Sequence, residues 1–351
     1  KRRAHHILNR LETVGAEIDA YTTKEYTCIY TIFMSEHLER ALELMSDIIF
    51  QSQFPEREVN KEKNVVIDEI QSYLDSPSEQ ISDDFEQLVF ESHPLGKGIL
   101  GTVESVQSFS SAKVSAFHHR HYTPSNMVLS TSVNLPSKKT RNLVKKHFGG
   151  LKQGSAMKRL NQTHSINPLR KTTSRNTFQS HYITGTTAYN IKSEKRFTMN
   201  LLNNLLGGQA MNSRLNMNIR EKYGYTYHIE SGYSAFSDNG LFYIYLGSDK
   251  KNIGRIEKLL KKELNKLKDN ELSPSQMRKV IQQYQGQVSI AAESRVNQVV
   301  QRARSLMTLG RIERYEEVIQ AVSNVTSSDI IETANELFNL NKFSCLIFEN
   351  D

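Results

Sequence analysis

Two glutamates seven residues apart, Glu62 and Glu69, fall in a stretch after Pro55 that alternates spacings of three and four through Val59, Glu62, Val66, Glu69 and Tyr73. A carboxylate on an apolar helical stripe is costly to desolvate. Either cations meet the pair or the helix is rotated and both are solvated. The matching positions late in the chain, counted from Pro274, are Ile281 and Val288, so any task for paired carboxylates belongs to the early segment alone. A second pair flanks Gly224. Arg220 and Tyr227 stand on either side of a glycine turn that can bring guanidinium and phenol to one surface, where they would hold a carbonyl oxygen or stabilise an oxyanion. The plainer alternative for Arg220 is a cation that complements a helix C-terminus. Cys28 and Cys345 lie far apart in apolar, strand-like runs and support neither a disulfide framework nor a thiolate metal site.

The elements that must carry these residues occur twice. Tyr26 to Phe33 reads as a buried strand, followed by a helix capped by Ser35 with Leu38, Ala41, Leu42, Met45 and Ile48 on one face, and then by the helix after Pro55. Leu241 to Leu246 is again a strand, Ile253 to Leu264 again an amphipathic helix, and Ser273-Pro274-Ser275-Gln276 opens another helix with a capping box. Ahead of each strand, Asn9 to Gly15 and Asn218 to Gly224 read as a helix closed by glycine. The order predicts an α+β protein of two homologous α/β halves, each a mostly antiparallel sheet packed by helices. The first half is placed at 1–150, a basic polar linker at 151–177 and the second half at 178–351. A helix around Lys138 to His147 closes the first half, and strands at Ser180 to Gly185 and Lys342 to Phe348 open and close the second.

With 351 residues, 38% hydrophobic and 24% charged, the chain suits two packed domains and is too balanced in charge for disorder. No run approaches a membrane span, and nothing near Lys1 has the order of an export signal. Charge is uneven. Between Ser105 and Ser193 there are fourteen Lys or Arg and no Asp or Glu, which, against +7 overall, leaves −7 on the rest. A basic block can bind nucleic acid. This one lacks an RNA-binding aromatic pattern and includes a Ser, Thr, Asn and Gln-rich stretch, so a solvated connection between domains fits it better and no nucleic-acid partner is expected.

The runs Leu11 to Glu25, Glu62-Lys63-Asn64-Val65-Val66-Ile67-Asp68-Glu69-Ile70 and Tyr122-Thr123-Pro124-Ser125-Asn126-Met127 closely resemble the pitrilysin/insulinase metallopeptidases, and within them the processing-peptidase branch and its bacterial relatives. Later, Gly207 to Leu215 and Arg220-Glu221-Lys222-Tyr223-Gly224-Tyr225-Thr226-Tyr227 resemble the inactive-half signature of that family, so the resemblance spans essentially the whole chain. It implies a zinc endopeptidase in which an inverted His-x-x-Glu-His helix and a distal Glu hold the metal and the helix Glu activates its water. By that resemblance Glu69 is the zinc ligand and Glu62 the acidic residue that supports the site. Arg220 and Tyr227 reach the substrate, and Asp19-Ala20-Tyr21-Thr22 is the edge strand on which a peptide is laid. Asp19 stands where Asn is more usual.

None of the eleven histidines is followed by x-x-Glu-His, and His118-His119-Arg120-His121 lies where the family has no ligand and reads as a partly exposed helix end. The expectation is that strands and the zinc helix precede Lys1. The implied function is zinc-dependent cleavage of peptides or unstructured segments. The alternative is an inactive homologue serving as a partner or scaffold subunit. A homodimer or a related subunit is the implied assembly, and scarce cysteine fits the cytoplasm, with the periplasm as the alternative. The acidic early segment, ten Lys+Arg against twenty Asp+Glu before Ser105, favours basic peptides.

Overall fold

A computed structural model of the chain describes residues 2–152, 154 and 167–350. The early elements are α1 (Ala4–Glu12), β1 (Glu17–Thr22), β2 (Thr27–Ile32), α2 (Leu38–Phe50), α3 (Glu56–Leu74) and α4 (Pro77–Val89). Next come α5 (Val103–Gln107), α6 (Ser111–His121), α7 (Ser137–Phe148), β3 (Arg170–Arg175), β4 (Ser180–Ala188) and α8 (Lys195–Gly207). A π-helical turn over Asn216–Glu221 leads to β5 (Thr226–Ala235), β6 (Gly240–Ser248), α9 (Lys250–Asp269) and α10 (Pro274–Glu293). The chain ends through α11 (Arg295–Leu309), α12 (Tyr315–Ser323), α13 (Ser327–Leu337) and β7 (Ser344–Asn350).

Two compact units result. The first gathers Lys1–Asp68, Ile99–Leu160 and Glu293–Ile312, and the second gathers Glu69–Gly98, Asn161–Ala292 and Glu313–Asp351. α4 belongs to the second unit and α11 to the first.

In the first unit, β1 and β2 form an antiparallel ribbon registered from Glu17 opposite Ile32 to Thr22 opposite Thr27. Leu11, Ala16, Ala41 and Leu44 pack between α1, the ribbon and α2. Burying four such side chains contributes on the order of 1 kcal/mol or more each. Charges ring this core: Arg2 bonds Asp47 at 2.9 Å, and Arg10 bonds Glu43 at 3.2 Å.

The second unit is built on a five-stranded sheet of order β3-β7-β4-β6-β5, antiparallel except where β3 runs parallel to β7. Helices cover one face, with Leu201, Leu202, Leu206, Ile256, Leu260 and Ile330 packed on Tyr182, Phe242 and Ile244. The other face is covered by α4 and its C-terminal turn, where Ile81, Phe85, Val89, Phe90 and Leu95 meet Ile183, Leu241, Tyr245, Leu346 and Phe348. A sheet buried on both faces explains why β4, β6 and β7 are nearly continuous runs of buried residues, without a polar-out alternation.

The expected repetition is present in the order of elements: α1, β1, β2, α2, α3 is echoed by the π-turn, β5, β6, α9, α10. In both copies the helix is closed by a glycine in the left-handed region, Gly15 at φ 68° and Gly224 at φ 63°, a conformation that L side chains adopt only with strain. The capping box at the start of α10 forms as expected, with Ser273 N–H donating to Gln276 Oε1 at 2.8 Å and Gln276 N–H to Ser273 Oγ at 3.3 Å. Two local expectations fail. Ser35 does not cap α2; it lies in a 3-10 turn, and its Oγ accepts a bond from the Asn134 N–H at 3.0 Å. The segment expected to be a linker at 151–177 lies partly outside the described residues, and within it Arg170–Arg175 is a strand. Its polar composition suits an outer strand, which needs backbone partners on one side only.

Candidate functional site

The helix α3 turns its carboxylates outward. Its inward residues are Val59, Lys63, Val66, Ile67 and the buried Ile70, while Glu62, Glu69 and Tyr73 are exposed. Of the two arrangements open from sequence, rotation toward water is the one that occurs, and it removes the desolvation cost. Neither Glu62 nor Glu69 makes an ion pair or hydrogen bond among the described residues. Their spacing still sets them two turns apart on one face of a continuous helix.

Along β1, Asp19, Ala20, Tyr21 and Thr22 are all exposed. Asp19 is held within its ribbon: its Oδ1 accepts from the Ala20 N–H at 2.7 Å and its Oδ2 from the Tyr30 hydroxyl at 3.0 Å. That bond to Asp19 pushes the Tyr30 hydroxyl pKa up. Tyr21 sits opposite Cys28 and edge-on to Tyr26 and Tyr30, with ring centroids 6.2 and 6.4 Å away. Burial first, then a hydrogen bond to Cys28, raises the Tyr21 pKa. Among the described residues β1 has one strand neighbour, so its outer edge carries backbone groups free to pair with an extended chain.

Arg220 lies in the π-turn, where its Nη1 donates to Asn216 Oδ1 at 3.0 Å, a bond that fixes the guanidinium within its own turn. Such turns are rare and cluster at functional sites. Tyr227 owes its position to an irregularity in β5. Thr226 pairs with Ser248 and His228 with Gly247, so Tyr227 is the extra residue of a bulge. Thr226 locks the bulge, its hydroxyl lying 2.6 Å from the His228 carbonyl and 2.5 Å from that of Gly247. The Tyr227 side chain is thereby 91% exposed. It lines a cleft of about 580 Å³ in the second unit together with Asp75, Phe178, His181, Tyr225 and Asp249. Arg220 is not among the residues that line it. The bulge, the cleft and Phe178 carry no sequence motif and escape a reading by periodicity.

The histidine cluster is structural at its first member. His118 is buried, donates from Nε2 to the Ile49 carbonyl at 2.6 Å and stacks on Tyr122 at 4.8 Å, so it is more enclosed than the partly exposed helix end expected. Zinc sites in proteins use at least three protein ligands. Among the described residues no three His, Cys, Asp or Glu side chains lie close enough to hold a metal ion. Among the described residues Glu69 is therefore not part of a complete zinc donor set. No helix of the described residues is long and apolar enough to cross a membrane.

Residues 1–103 match the family described as insulinase (peptidase family M16), and residues 108–284 match the peptidase M16 inactive domain. A protein of Bacillus subtilis described as an uncharacterized zinc protease is 31% identical over 291 residues, 83% of this chain and 70% of that one. An uncharacterized zinc protease of Rickettsia felis is 31% identical over 356 residues, spanning all of this chain and 84% of its own length. Among solved structures, a peptidase M16 inactive domain from Pseudomonas fluorescens superposes with a TM-score of 0.91 at 18% identity, over all of this chain and 84% of that one, a likeness of fold. With profiles of both domain types matched in order and relatives near one third identical along most of their length, the chain belongs to the insulinase (M16) family of peptidases.

Proposed function

We propose that this chain serves a zinc-dependent endopeptidase of the processing-peptidase-like branch that hydrolyses peptides or unstructured segments, working with a second copy or a related subunit. The observation that carries the reading is the pair of outward, unpartnered carboxylates Glu62 and Glu69 on one face of α3. A surface helix gains nothing in packing from that arrangement, whereas an exposed carboxylate without a competing cation is available to a metal. Glu69 is the carboxylate donor in this reading and Glu62 its acidic neighbour. Zinc, when bound, supplies a Lewis acid and an activated water. Two imidazoles and a general base must join Glu69 from outside the described residues. The chain's own contribution is to the substrate: the open edge at Asp19–Thr22 pairs with an extended backbone, and Arg220 and Tyr227 offer a guanidinium and a phenol to a carbonyl oxygen. The test is zinc content and cleavage of a quenched peptide by the native protein. Stoichiometric zinc with chelator-sensitive cleavage is expected, and metal-free protein that cleaves nothing overturns the reading.

The lack of a three-donor cluster among the described residues favours a second reading, an inactive homologue that acts as a partner or scaffold. It predicts peptide or subunit binding that zinc and chelators leave unchanged.

A further inference from the structure

We propose that Glu263, buried in α9, is a positioning residue that holds the π-turn at Asn216–Glu221 and, through it, Arg220. This rests on the reading of Arg220 as a substrate contact above and adds what keeps that contact in place. Every residue involved belongs to the second unit.

Glu263 is a charge on an apolar face. It follows Ile256 and Leu260 on the inward stripe of α9, beside Leu264 and Leu267, and is 4% exposed. Desolvating a carboxylate is costly, and an apolar side chain of similar volume at a buried ionic position is often neutral or stabilising. The packing of α9 therefore does not call for a charge here.

The carboxylate instead reaches across 45 residues of sequence. Its Oε2 accepts from Asn218 Nδ2 at 3.1 Å, and its Oε1 accepts from Lys266 Nζ at 2.6 Å. Arg214, just ahead of the π-turn, lies within its field: burial lowers the Arg214 pKa, and the Glu263 charge opposes that shift.

Asn218 stands inside the π-turn, two residues before Arg220. Side chains two apart in a helical turn do not share a face, so Glu263 grips one side of the turn and leaves another to Arg220, whose side chain is 36% exposed. There Asn216 Oδ1 accepts from Arg220 Nη1 at 3.0 Å, and Asn216 Nδ2 donates to the Met211 carbonyl. A π-helical turn is wider than an α-turn and rare. The ties through Asn216 and Asn218 hold it in that form. Rewinding it as an α-helix would carry Arg220 around the axis and away from its present side.

Hydrogen exchange and polypeptide binding by the intact chain in chelator-containing buffer test this without any cleavage. In Asn218→Ala the amides of Asn216–Glu221 should exchange about tenfold faster, the loss of one hydrogen bond to a charged group, while those of α9 keep their rate. Fluorescein-labelled β-casein, an unstructured chain, should bind several-fold more weakly to Asn218→Ala and to Glu263→Leu in an anisotropy titration. Glu263→Gln keeps an acceptor for Asn218 and should bind within about twofold of the native chain. In an Arg220→Ala background Asn218→Ala should lower affinity no further, whereas a residue acting on the fold alone would lower it in both backgrounds. The thermal midpoint of Glu263→Leu should be unchanged or raised, its half-exposed partner Lys266 turning to water. Asn218→Ala carries the same test if that variant does not fold. Unchanged exchange in Asn218→Ala, an affinity loss that persists in the Arg220→Ala background, or a loss in Glu263→Gln equal to that in Glu263→Leu overturns the proposal. If exchange rises as expected while Arg220→Ala leaves binding unaltered, the tether stands and the reading of Arg220 as a substrate contact falls alone. If Arg220→Ala weakens binding while exchange stays unchanged, the tether alone falls.

Discussion

His181 on β4 and Tyr245 on β6 are joined on the α4 side of the sheet, Nδ1 to hydroxyl at 2.8 Å with their rings stacked at 6.1 Å. Burial lowers the His181 pKa and pushes the Tyr245 hydroxyl up to about 12. The phenol therefore remains protonated, and the imidazole neutral, through the neutral range. As pH falls below the ordinary histidine value of about 6.5, the unfolded chain binds a proton that the native one refuses, so stability is lost on acidification. Above that value the residue contributes no pH dependence. Urea midpoints at pH 5 and pH 7.5 should fall further for the native chain than for His181→Gln, and equal falls would dismiss the coupling.

The ion pair between Arg196 and Glu313 in the second unit is largely enclosed, with side chains 5% and 17% exposed. Arg196 also donates from Nη1 to the Ile191 carbonyl at 2.7 Å and lies over the Phe197 ring at 4.1 Å. Glu313→Gln would leave a buried guanidinium without its counter-charge. The expected cost is about 3 kcal/mol, at the lower end for breaking a buried pair because Glu313 keeps some access to water. Denaturant unfolding followed by circular dichroism measures it, and a cost below 1 kcal/mol would contradict this burial.

Glu62→Gln and Glu69→Gln separate folding from function. Both side chains are exposed and unpartnered, so each substitution should move stability by no more than about 0.5 kcal/mol. In the native protein Glu69→Gln should abolish retained zinc, measured by elemental analysis after dialysis. Ile70→Ala, one residue on and buried, should do the reverse: about 2 kcal/mol or more of stability lost with zinc affinity largely kept.

Thr226→Val removes the hydroxyl that meets the His228 and Gly247 carbonyls while keeping the side chain's shape. Losing those bonds should cost about 1–2 kcal/mol and leave Tyr227 poorly held. Tyr227→Ala, by contrast, should be neutral for stability and should weaken peptide binding. If Tyr227→Ala destabilised the fold instead, the bulge would be packing the ring and not presenting it.

The fold was largely legible because its elements are strongly periodic. The β6 run, the α9 apolar face and the Ser273 capping box mark their elements, although β6 and α9 extend beyond the expected runs Leu241 to Leu246 and Ile253 to Leu264, and the twin glycines 15 and 224 announce the same turn twice. The orientation of α3 was not legible. A count from Val59 through Glu62 and one through Lys63 share Val59 and Val66, and exposed apolar residues such as Val65 and Leu74 blur the choice. The lower desolvation cost decides it. β3 was hidden because an outer strand can be polar, and the exposure of Tyr227 because a bulge is a property of two strands together. Of the residues singled out by resemblance, Asp19–Thr22 are exposed on β1, and Tyr227 lines the cleft while Arg220 does not.

The packing of α4 against β7 sets an order on biogenesis. Phe85 and Phe90 leave the ribosome about 260 residues before Leu346 and Phe348, two of the side chains that cover them. β4 and β6 supply Ile183, Leu241 and Tyr245 earlier, so until β7 is made the apolar face of α4 is only partly covered. Such distant closure slows folding and lengthens exposure to aggregation. Nascent chains halted before Ser344 should accordingly engage chaperones, and shortening the chain by β7 alone should render residues 77–95 sensitive to protease.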